Sequence, residues 1–212
     1  MVEEVLAVNN VSKKFKNKLV LQDINLSLNK KEILGITGPS GSGKTVFIKM
    51  LMGYIKPDKG AININPKIGF SFQDNSFYEN LTLKQNLNYF AKINNVKNRK
   101  EKIKELLHIL SLEGYEKNIV FNLSGGTKKR VDIACALLTE PKILILDEPF
   151  VGLDYSLIKQ LSEFLLNLRE SGMTIIMSSH VLEPIENLCD KVIFIKDGEL
   201  NIVNKSNIRN MY

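Results

Sequence analysis

The chain carries the run Gly38-Pro39-Ser40-Gly41-Ser42-Gly43-Lys44-Thr45, which matches the spacing G-x-x-x-x-G-K-[ST]. Glycines have no Cβ, so successive backbone N–H groups can turn towards a single anion. In a loop of this type the lysine ammonium binds the β- and γ-phosphates of a nucleotide, and the threonine hydroxyl binds Mg²⁺. The run therefore predicts a nucleotide-phosphate site formed by all eight residues, with Lys44 as its mobile charge and Thr45 as a metal ligand. We call residues 38–45 the phosphate loop.

The residues on either side of the phosphate loop give it the context that it needs. Residues 31–37 end in an apolar run typical of a buried strand, and residues 46–52 repeat apolar side chains at helical spacing. The positive end of that helix would point at the phosphates. An ordinary turn rich in glycine and serine requires neither neighbour, so the combination of strand, loop and helix favours phosphate binding.

A second apolar strand ends in two acids. Residues 143–146 are four consecutive aliphatic residues, which suits a central parallel strand buried on both faces. A carboxylate is costly to bury there unless it meets a cation, so Asp147 is predicted to bind Mg²⁺ and Glu148 to orient or deprotonate a water. His180 follows a predicted strand at residues 173–179, and at the same edge of the sheet it would reach a γ-phosphate or that water. Taken without the phosphate loop, the two acids fit a simple turn equally well.

Ser124-Gly125-Gly126 stand directly before a helical pattern at residues 125–138. Serine is a favourable N-cap, and the glycines leave backbone N–H groups accessible at the positive end of the helix. We call residues 124–126 the signature segment and predict that they form a second anion site. If a helical layer separates it from the phosphate loop, one nucleotide reaches both only when a second molecule supplies one of them. Taken alone, the segment fits an ordinary helix cap.

The order of patterns predicts an α/β fold in one domain. Residues 3–30 alternate apolar and polar positions, which indicates an antiparallel β layer. Residues 83–112 have helical spacing and predict an inserted α-helical subdomain over about residues 80–140. After Ser124 helices alternate with strands, which predicts a parallel-sheet core covered on both faces. We expect these parts to form a single domain over residues 1–212.

Composition argues against several other classes of protein. Hydrophobic residues make up 44% and charged residues 25% of the 212 residues, as in ordinary globular proteins. The net charge is +6, but the densest basic stretch, residues 97–104, also contains Glu101 and fits a solvated helix face better than a nucleic-acid site. No apolar run approaches the roughly 18 residues of a membrane span, so we expect a cytoplasmic protein. Cys135 and Cys189 are expected to be reduced thiols in apolar surroundings.

The order of the motifs resembles the nucleotide-binding subunit of ABC transporters over nearly the whole chain. The matching positions are residues 38–45, Gln73, residues 123–126, residues 143–148, Leu153-Asp154 and His180. The resemblance implies a P-loop NTPase fold of the RecA-like type. It also implies that the protein hydrolyses ATP with Mg²⁺.

The resemblance implies roles for further residues. Two copies would pack head to tail, with each ATP between the phosphate loop of one copy and the signature segment of the other. Phe15 matches the aromatic residue that stacks on adenine, and Gln73 matches the residue that contacts Mg²⁺ and the attacking water. Asp154 matches the acid that links the two sites across the dimer, and His180 matches the switch histidine. Glu148, Gln73 and His180 would then be the catalytic residues.

The resemblance also implies a separate integral-membrane permease, which would hold the subunit at the inner face of the cell membrane. Residues 79–87 and 89–91 resemble the branch that exports drugs, peptides or polysaccharides. Two positions depart from the family pattern, because Thr127 stands where glutamine is usual and Cys135 where arginine is usual.

Three other functions would also use a phosphate loop. The first is an ABC ATPase without a transport role, for example in iron–sulfur assembly. The second is a P-loop kinase or GTPase, which would not need the signature segment. The third is a regulator that binds nucleotide without turnover, and Glu148 argues against it.

Overall fold

The computed structural model describes residues 3–16, 18–72 and 77–211. Within them the strands are β1 (Glu4–Phe15), β2 (Lys18–Asn29), β3 (Ile33–Thr37), β4 (Lys59–Ile64), β5 (Ile68–Ser71), β6 (Ile143–Asp147), β7 (Thr174–Ser178), β8 (Lys191–Lys196) and β9 (Glu199–Val203). The α-helices are α1 (Lys44–Leu51), α2 (Leu83–Ile93), α3 (Arg99–Ile109), α4 (Gly125–Leu137), α5 (Tyr155–Glu170) and α6 (Leu182–Leu188). Two 3₁₀ helices cover Val120–Asn122 and Lys205–Met211.

The strands form two sheets, as the alternation of patterns predicted. A small antiparallel sheet has the order β2-β1-β4, and a six-stranded sheet has the order β5-β6-β7-β3-β8-β9. The first five strands of the larger sheet are parallel, and β9 runs antiparallel to β8. Since β7 lies between β6 and β3, the carboxyl ends of these three strands lie side by side at one edge. The expected parallel core and antiparallel layer are therefore confirmed.

The larger sheet is covered on both faces, because successive side chains of a strand point to opposite sides. In β6, Ile143 and Ile145 belong to the apolar cluster that contains β1, β2 and α1. Leu144 and Leu146 belong to the opposite cluster, which contains α2 to α6. The run of aliphatic residues in β6 is thus explained by burial on both sides, as predicted.

Three helices, α2, α3 and α4, lie between β5 and β6, in the region where the helical pattern predicted an inserted layer. The helix α2 begins with a capping box: Thr82 Oγ1 accepts from the Gln85 N–H at 3.2 Å, and Gln85 Oε1 accepts from the Thr82 N–H at 2.8 Å. Leu87 and Leu106, two apolar residues within the helical pattern of residues 83–112, are both buried. Among the described helices, none combines the length and the apolar character that crossing a membrane requires.

The sequence patterns did not predict the strand β9 or the turn that leads to it. Asp197 and Gly198 have φ angles of 52° and 87°, which is the backbone of a tight hairpin turn that an Asp-Gly pair favours. The strands on either side of Asn65-Pro66 belong to different sheets: β4 pairs with β1, whereas β5 pairs with β6.

Candidate functional site

The phosphate loop joins β3 to α1 at the carboxyl edge of the large sheet. Gly38 has a φ of 142°, and a Cβ at this position would lie 2.1 Å from the carbonyl oxygen of Ile195. A side chain there would push the loop away from β8, so the close approach of loop and strand requires glycine. Gly43, with a φ of 109°, is the N-cap of α1. The two glycines let the loop curl tightly above the first turn of the helix.

The polar groups of the loop fit a bound phosphate. Lys44 Nζ donates to the carbonyl oxygens of Gly38 at 2.8 Å and Pro39 at 3.1 Å, so the ammonium lies over the loop. Ser42 Oγ is buried and has no hydrogen-bond partner among the described residues. An unpaired buried hydroxyl is costly, and a phosphate oxygen inside the loop would accept its hydrogen bond. Thr45, in the first turn of α1, is exposed.

Asp147 and Glu148 are joined to the next strand by one serine. Ser178 Oγ donates to Asp147 Oδ1 at 2.5 Å and accepts from the Glu148 N–H at 2.9 Å. The Asp147 residue is 4% exposed, so its carboxylate is held at a defined position inside the sheet edge. The serine was not among the predicted site residues, although a polar residue at the end of the apolar strand β7 was a usable signal.

Glu148 and His180 form a pair at the same edge. His180 Nδ1 lies 2.9 Å from Glu148 Oε2, and the His180 N–H donates to the same oxygen at 3.2 Å. Glu148 has a φ of 51°, an uncommon backbone conformation for a residue with a side chain. Its side chain is 11% exposed, whereas that of His180 is 59% exposed. The carboxylate therefore lies inside the site, and the imidazole lies between it and the solvent.

The signature segment begins α4, as predicted. Ser124 Oγ accepts from the Thr127 N–H at 3.3 Å and lies 2.9 Å from Thr127 Oγ1. A Cβ on Gly126 would lie 2.7 Å from a methyl group of Leu157, so this glycine allows α4 to pack closely on α5. Gly125 is exposed, and among the described residues outside its own helix the nearest atom to the place of its missing Cβ is the carbonyl oxygen of Gly152, at 3.9 Å. The hydroxyl of Thr127, at the position where the family pattern has glutamine, is thus engaged with the serine cap.

Asp154, Phe15 and Cys135 lie at three different elements of the fold. Asp154 is the N-cap of α5, where Oδ1 accepts from the Leu157 N–H at 3.0 Å. Phe15 is the last residue of β1, with 43% of its surface exposed and Lys13 Nζ 5.3 Å from the ring centroid. Gln73 lies outside the described residues. Cys135 is buried in α4, where burial raises the pKa of its thiol, so it is an unreactive part of the core.

The structure brings some of these groups together and keeps others apart. Asp147 ends β6, Glu148 follows it and His180 lies just after β7. The phosphate loop follows β3, which lies on the other side of β7. The signature segment belongs to a helix on the other side of the sheet, since α1 packs in one apolar cluster and α4 in the opposite one. The predicted metal ligand Asp147 and the predicted catalytic residue Glu148 therefore lie at the same edge of the sheet as the phosphate loop, with β7 between them. The two predicted anion sites start helices on opposite faces.

Comparison with known proteins gives a consistent family. Residues 21–151 match the family model for ABC transporters. An uncharacterized ABC transporter ATP-binding protein of Methanocaldococcus jannaschii is 34% identical over 92% of this chain and 75% of that protein. A probable sulfate/thiosulfate import ATP-binding protein of Chlorella vulgaris is 32% identical over 92% of this chain and 89% of its own length. The ATP-binding protein of the lipopolysaccharide export system of Haemophilus influenzae is 28% identical, over 98% and 96% of the two chains.

Solved structures agree with the sequence comparison. An ATP-binding cassette of an ABC transporter, solved in its ADP conformation, superimposes with a TM-score of 0.86 at 26% identity and covers 98% of this chain and 94% of the other. The expected P-loop NTPase fold is thereby confirmed, and ATP binding belongs to the family. The chain is a member of the ABC transporter family, an ATP-binding subunit with ATPase activity.

Proposed function

We propose that two copies of this chain, or this chain and a related one, enclose ATP between the phosphate loop of one and the signature segment of the other. The observation that carries this proposal is the placement of α1 and α4 on opposite faces of the sheet. Each helix offers backbone N–H groups at its positive end, but a nucleotide on α1 is not within simple reach of α4 in the same chain. A head-to-tail partner lets both helices bind the same triphosphate.

Within such a site, different residues of one chain would bind the phosphates, activate the water and bind the base. Lys44 would exchange its contacts with the loop carbonyls for the β- and γ-phosphates. Glu148 would take the proton of the water that attacks the γ-phosphorus, and its hydrogen bonds with His180 would hold the carboxylate in the required orientation. Phe15 would offer its exposed ring to the base. Its hairpin reaches the loop through Val20, whose side chain lies 3.2 Å from the position of a Cβ on Gly43.

The donor groups fit a magnesium ion that is bound together with the nucleotide. Thr45 and Asp147 offer oxygen ligands, the type that Mg²⁺ prefers, and Gln73 is the third proposed ligand. Among the described residues no group of three or more His, Cys, Asp or Glu side chains is placed to hold a metal. Phosphate oxygens would therefore complete the coordination, and the ion would supply charge neutralisation on the triphosphate.

For the cellular role, we propose that the dimer drives a separate membrane permease from its cytoplasmic side. Export is the proposed direction, on the resemblance of residues 79–87 and 89–91 to exporter subunits. The lipopolysaccharide-export relative supports it, and the sulfate-import relative counts against it. We further propose that residues 1–212 act as one ATPase domain, with the helical subdomain over about residues 80–140. A transport-independent ABC ATPase is the alternative, which a gene for a multi-span membrane protein beside this one would disfavour.

The experiment uses Glu148→Gln, which keeps the shape of the side chain and loses the base. With ATP it should elute as a dimer at twice the 24.0 kDa of the chain, and with ADP or without nucleotide as a monomer. A ligand that binds only the dimer shifts the equilibrium towards it. The steady-state phosphate release of Glu148→Gln should nearly disappear, while its ATP binding persists.

Ser124→Arg in the same background is the control, because it places bulk and charge on the partner side of the nucleotide. It should block the dimer and leave binding at the phosphate loop intact. Equal elution of Glu148→Gln in all three nucleotide conditions, with hydrolysis intact in the wild type, would contradict the head-to-tail arrangement.

A further inference from the structure

A charged cluster lies on the buried side of α4, where Lys129 and Asp132 meet the end of β5. Lys129 Nζ donates to Ser71 Oγ at 3.2 Å and to the carbonyl oxygen of Phe72 at 2.8 Å. It also lies 3.8 Å from Asp132 Oδ2, one turn further along the same helix. Ser71 Oγ is in turn hydrogen-bonded to Asp132 Oδ2. One ammonium group therefore connects α4 to the carboxyl end of β5.

The cluster is buried, so an unpaired charge within it would be strongly destabilising. Lys129 is 7% exposed, Asp132 is 1% exposed and the nearby Asp147 is 4% exposed. Burial lowers the pKa of Lys129, and the two carboxylates oppose that shift. A buried ion pair of this kind is weak evidence for stability, because apolar residues of the same volume often serve equally well. A role in holding particular atoms in place explains the cluster better.

Those atoms border the hydrolytic site. Ser71 pairs with Leu146 in the sheet, so the next residue of β6 is Asp147. The Phe72 carbonyl that Lys129 holds belongs to the peptide bond that leads into Gln73. The signature segment lies on the same helix only three to five residues before Lys129, which is roughly 5–8 Å along the axis. The Lys129 side chain thus connects the helix that begins with the second anion site to the end of β5, the strand that pairs with β6 and so lies beside Asp147.

We propose that Lys129 is a positioning residue for ATP hydrolysis, which ties the position of α4 to the end of β5 and to Asp147. When a nucleotide of the partner binds the signature segment, α4 moves as a unit, and Lys129 carries that movement to Ser71 and Phe72. This step rests on the proposed head-to-tail function. The residue does not touch the substrate, so its loss lowers turnover and leaves nucleotide affinity in place.

The decisive variant is the double substitution Lys129→Met with Asp132→Asn. Lys129→Met alone leaves a buried carboxylate without its cation and is expected to be unstable. The double variant removes both charges at nearly constant volume, so its urea midpoint should return towards that of the wild type. We expect its kcat to stay about tenfold or more below wild type, with KM for ATP within about threefold, which is the signature of an interaction used in the transition state.

The matched control is Lys128→Met, the neighbouring lysine on the same helix. Its ammonium lies 3.5 Å from Glu79 Oε1 and 5.1 Å from the ring centroid of Phe121, outside the buried cluster. It loses the same charge and should keep wild-type kcat. A double variant with the stability and the kcat of the wild type would show that the cluster only fills the core, and would overturn the inference.

A conformational readout is available because the chain contains no tryptophan. In Phe72→Trp the single indole reports on the end of β5, and its emission should change on adding ATP. Combining it with the double variant should abolish the change, whereas Lys128→Met should preserve it. An unchanged response in the double variant would also overturn the inference. Failure of Glu148→Gln to dimerise with ATP would instead refute the sandwich, and the kcat ratio of the Lys129 variants would still decide the positioning role.

Discussion

Ser178→Ala should disable the hydrolytic edge of the sheet without altering the phosphate loop. The serine hydroxyl donates to Asp147 Oδ1 at 2.5 Å and accepts from the Glu148 N–H at 2.9 Å. Alanine removes both contacts and adds no bulk. The buried carboxylate and the neighbouring N–H group therefore each lose a hydrogen-bond partner in the folded protein.

The size of the effect follows from those two contacts. A hydrogen bond to a charged group contributes about 1.5–3 kcal/mol, and an N–H without an acceptor costs about 1 kcal/mol at the low end of its range, which suits the partly buried Glu148 amide. The free energy of unfolding should fall by about 2.5–4 kcal/mol. If about 2 kcal/mol of this stabilisation also acts in the transition state, its loss lowers kcat about 30-fold. The affinity for ATP should not change, because the substitution leaves Lys44 and the phosphate loop unaltered.

Ser179→Ala is the matched control for this prediction. Ser179 is the next residue, is equally buried, and accepts from the Val181 N–H at 2.9 Å rather than contacting either acid. Its loss should cost about 1 kcal/mol in stability and leave turnover near wild type. Urea unfolding, nucleotide titration and steady-state phosphate release measure the three quantities. A kcat of Ser178→Ala within about threefold of the Ser179→Ala value would refute the claim that this hydroxyl orients Asp147 and Glu148.

Two further predictions concern the nucleotide. Lys44→Ala should weaken ATP binding and hydrolysis together by about 2–3 kcal/mol or more, as expected for the loss of a charged hydrogen bond. Lys49→Ala, which changes an exposed lysine of the same helix, should weaken neither. If Lys44→Ala binds ATP as tightly as the wild type in a calorimetric titration, the phosphate-loop assignment is rejected. Phe15→Ala should weaken ATP and GTP alike by about 1–3 kcal/mol, because stacking on an aromatic ring is tolerant of the base. A wild-type protein that binds ATP and strongly rejects GTP would show that hydrogen bonds read the base instead.

The sequence predicts this fold well wherever a pattern is local. The buried strands β3, β6 and β7 are short aliphatic runs, and each leads into a polar segment that the sequence marks as a candidate site. The helical spacing of α2 and the serine cap of α4 are local signals of the same kind. The strand β9 was not predicted, although the Asp-Gly turn that leads to it is also a local signal.

The parts that were not predicted depend on contacts between distant residues. His180 meets the carboxylate of Glu148 across 32 positions of the chain, and Lys129 meets the Phe72 carbonyl across 57 positions. A lone acid in an apolar helical pattern, Asp132, signals a buried partner but does not say which one. Which sheet a strand joins is likewise decided by pairing, so the sequence does not separate β4 from β5.

The position of β7 between β6 and β3 has a consequence for how the protein is made. β3 pairs with β7 and β6 pairs with β7, so the phosphate loop and Asp147 are brought into register only by a strand that follows both of them in the chain. A ribosome-bound chain that has emerged from the exit tunnel only as far as β6 contains both the phosphate loop and Asp147, but it cannot yet align them. Parallel pairing over such separations also closes long loops and is slow. The newly synthesised subunit should therefore become able to cleave ATP late, after β7 has left the exit tunnel and entered the gap between its two neighbours.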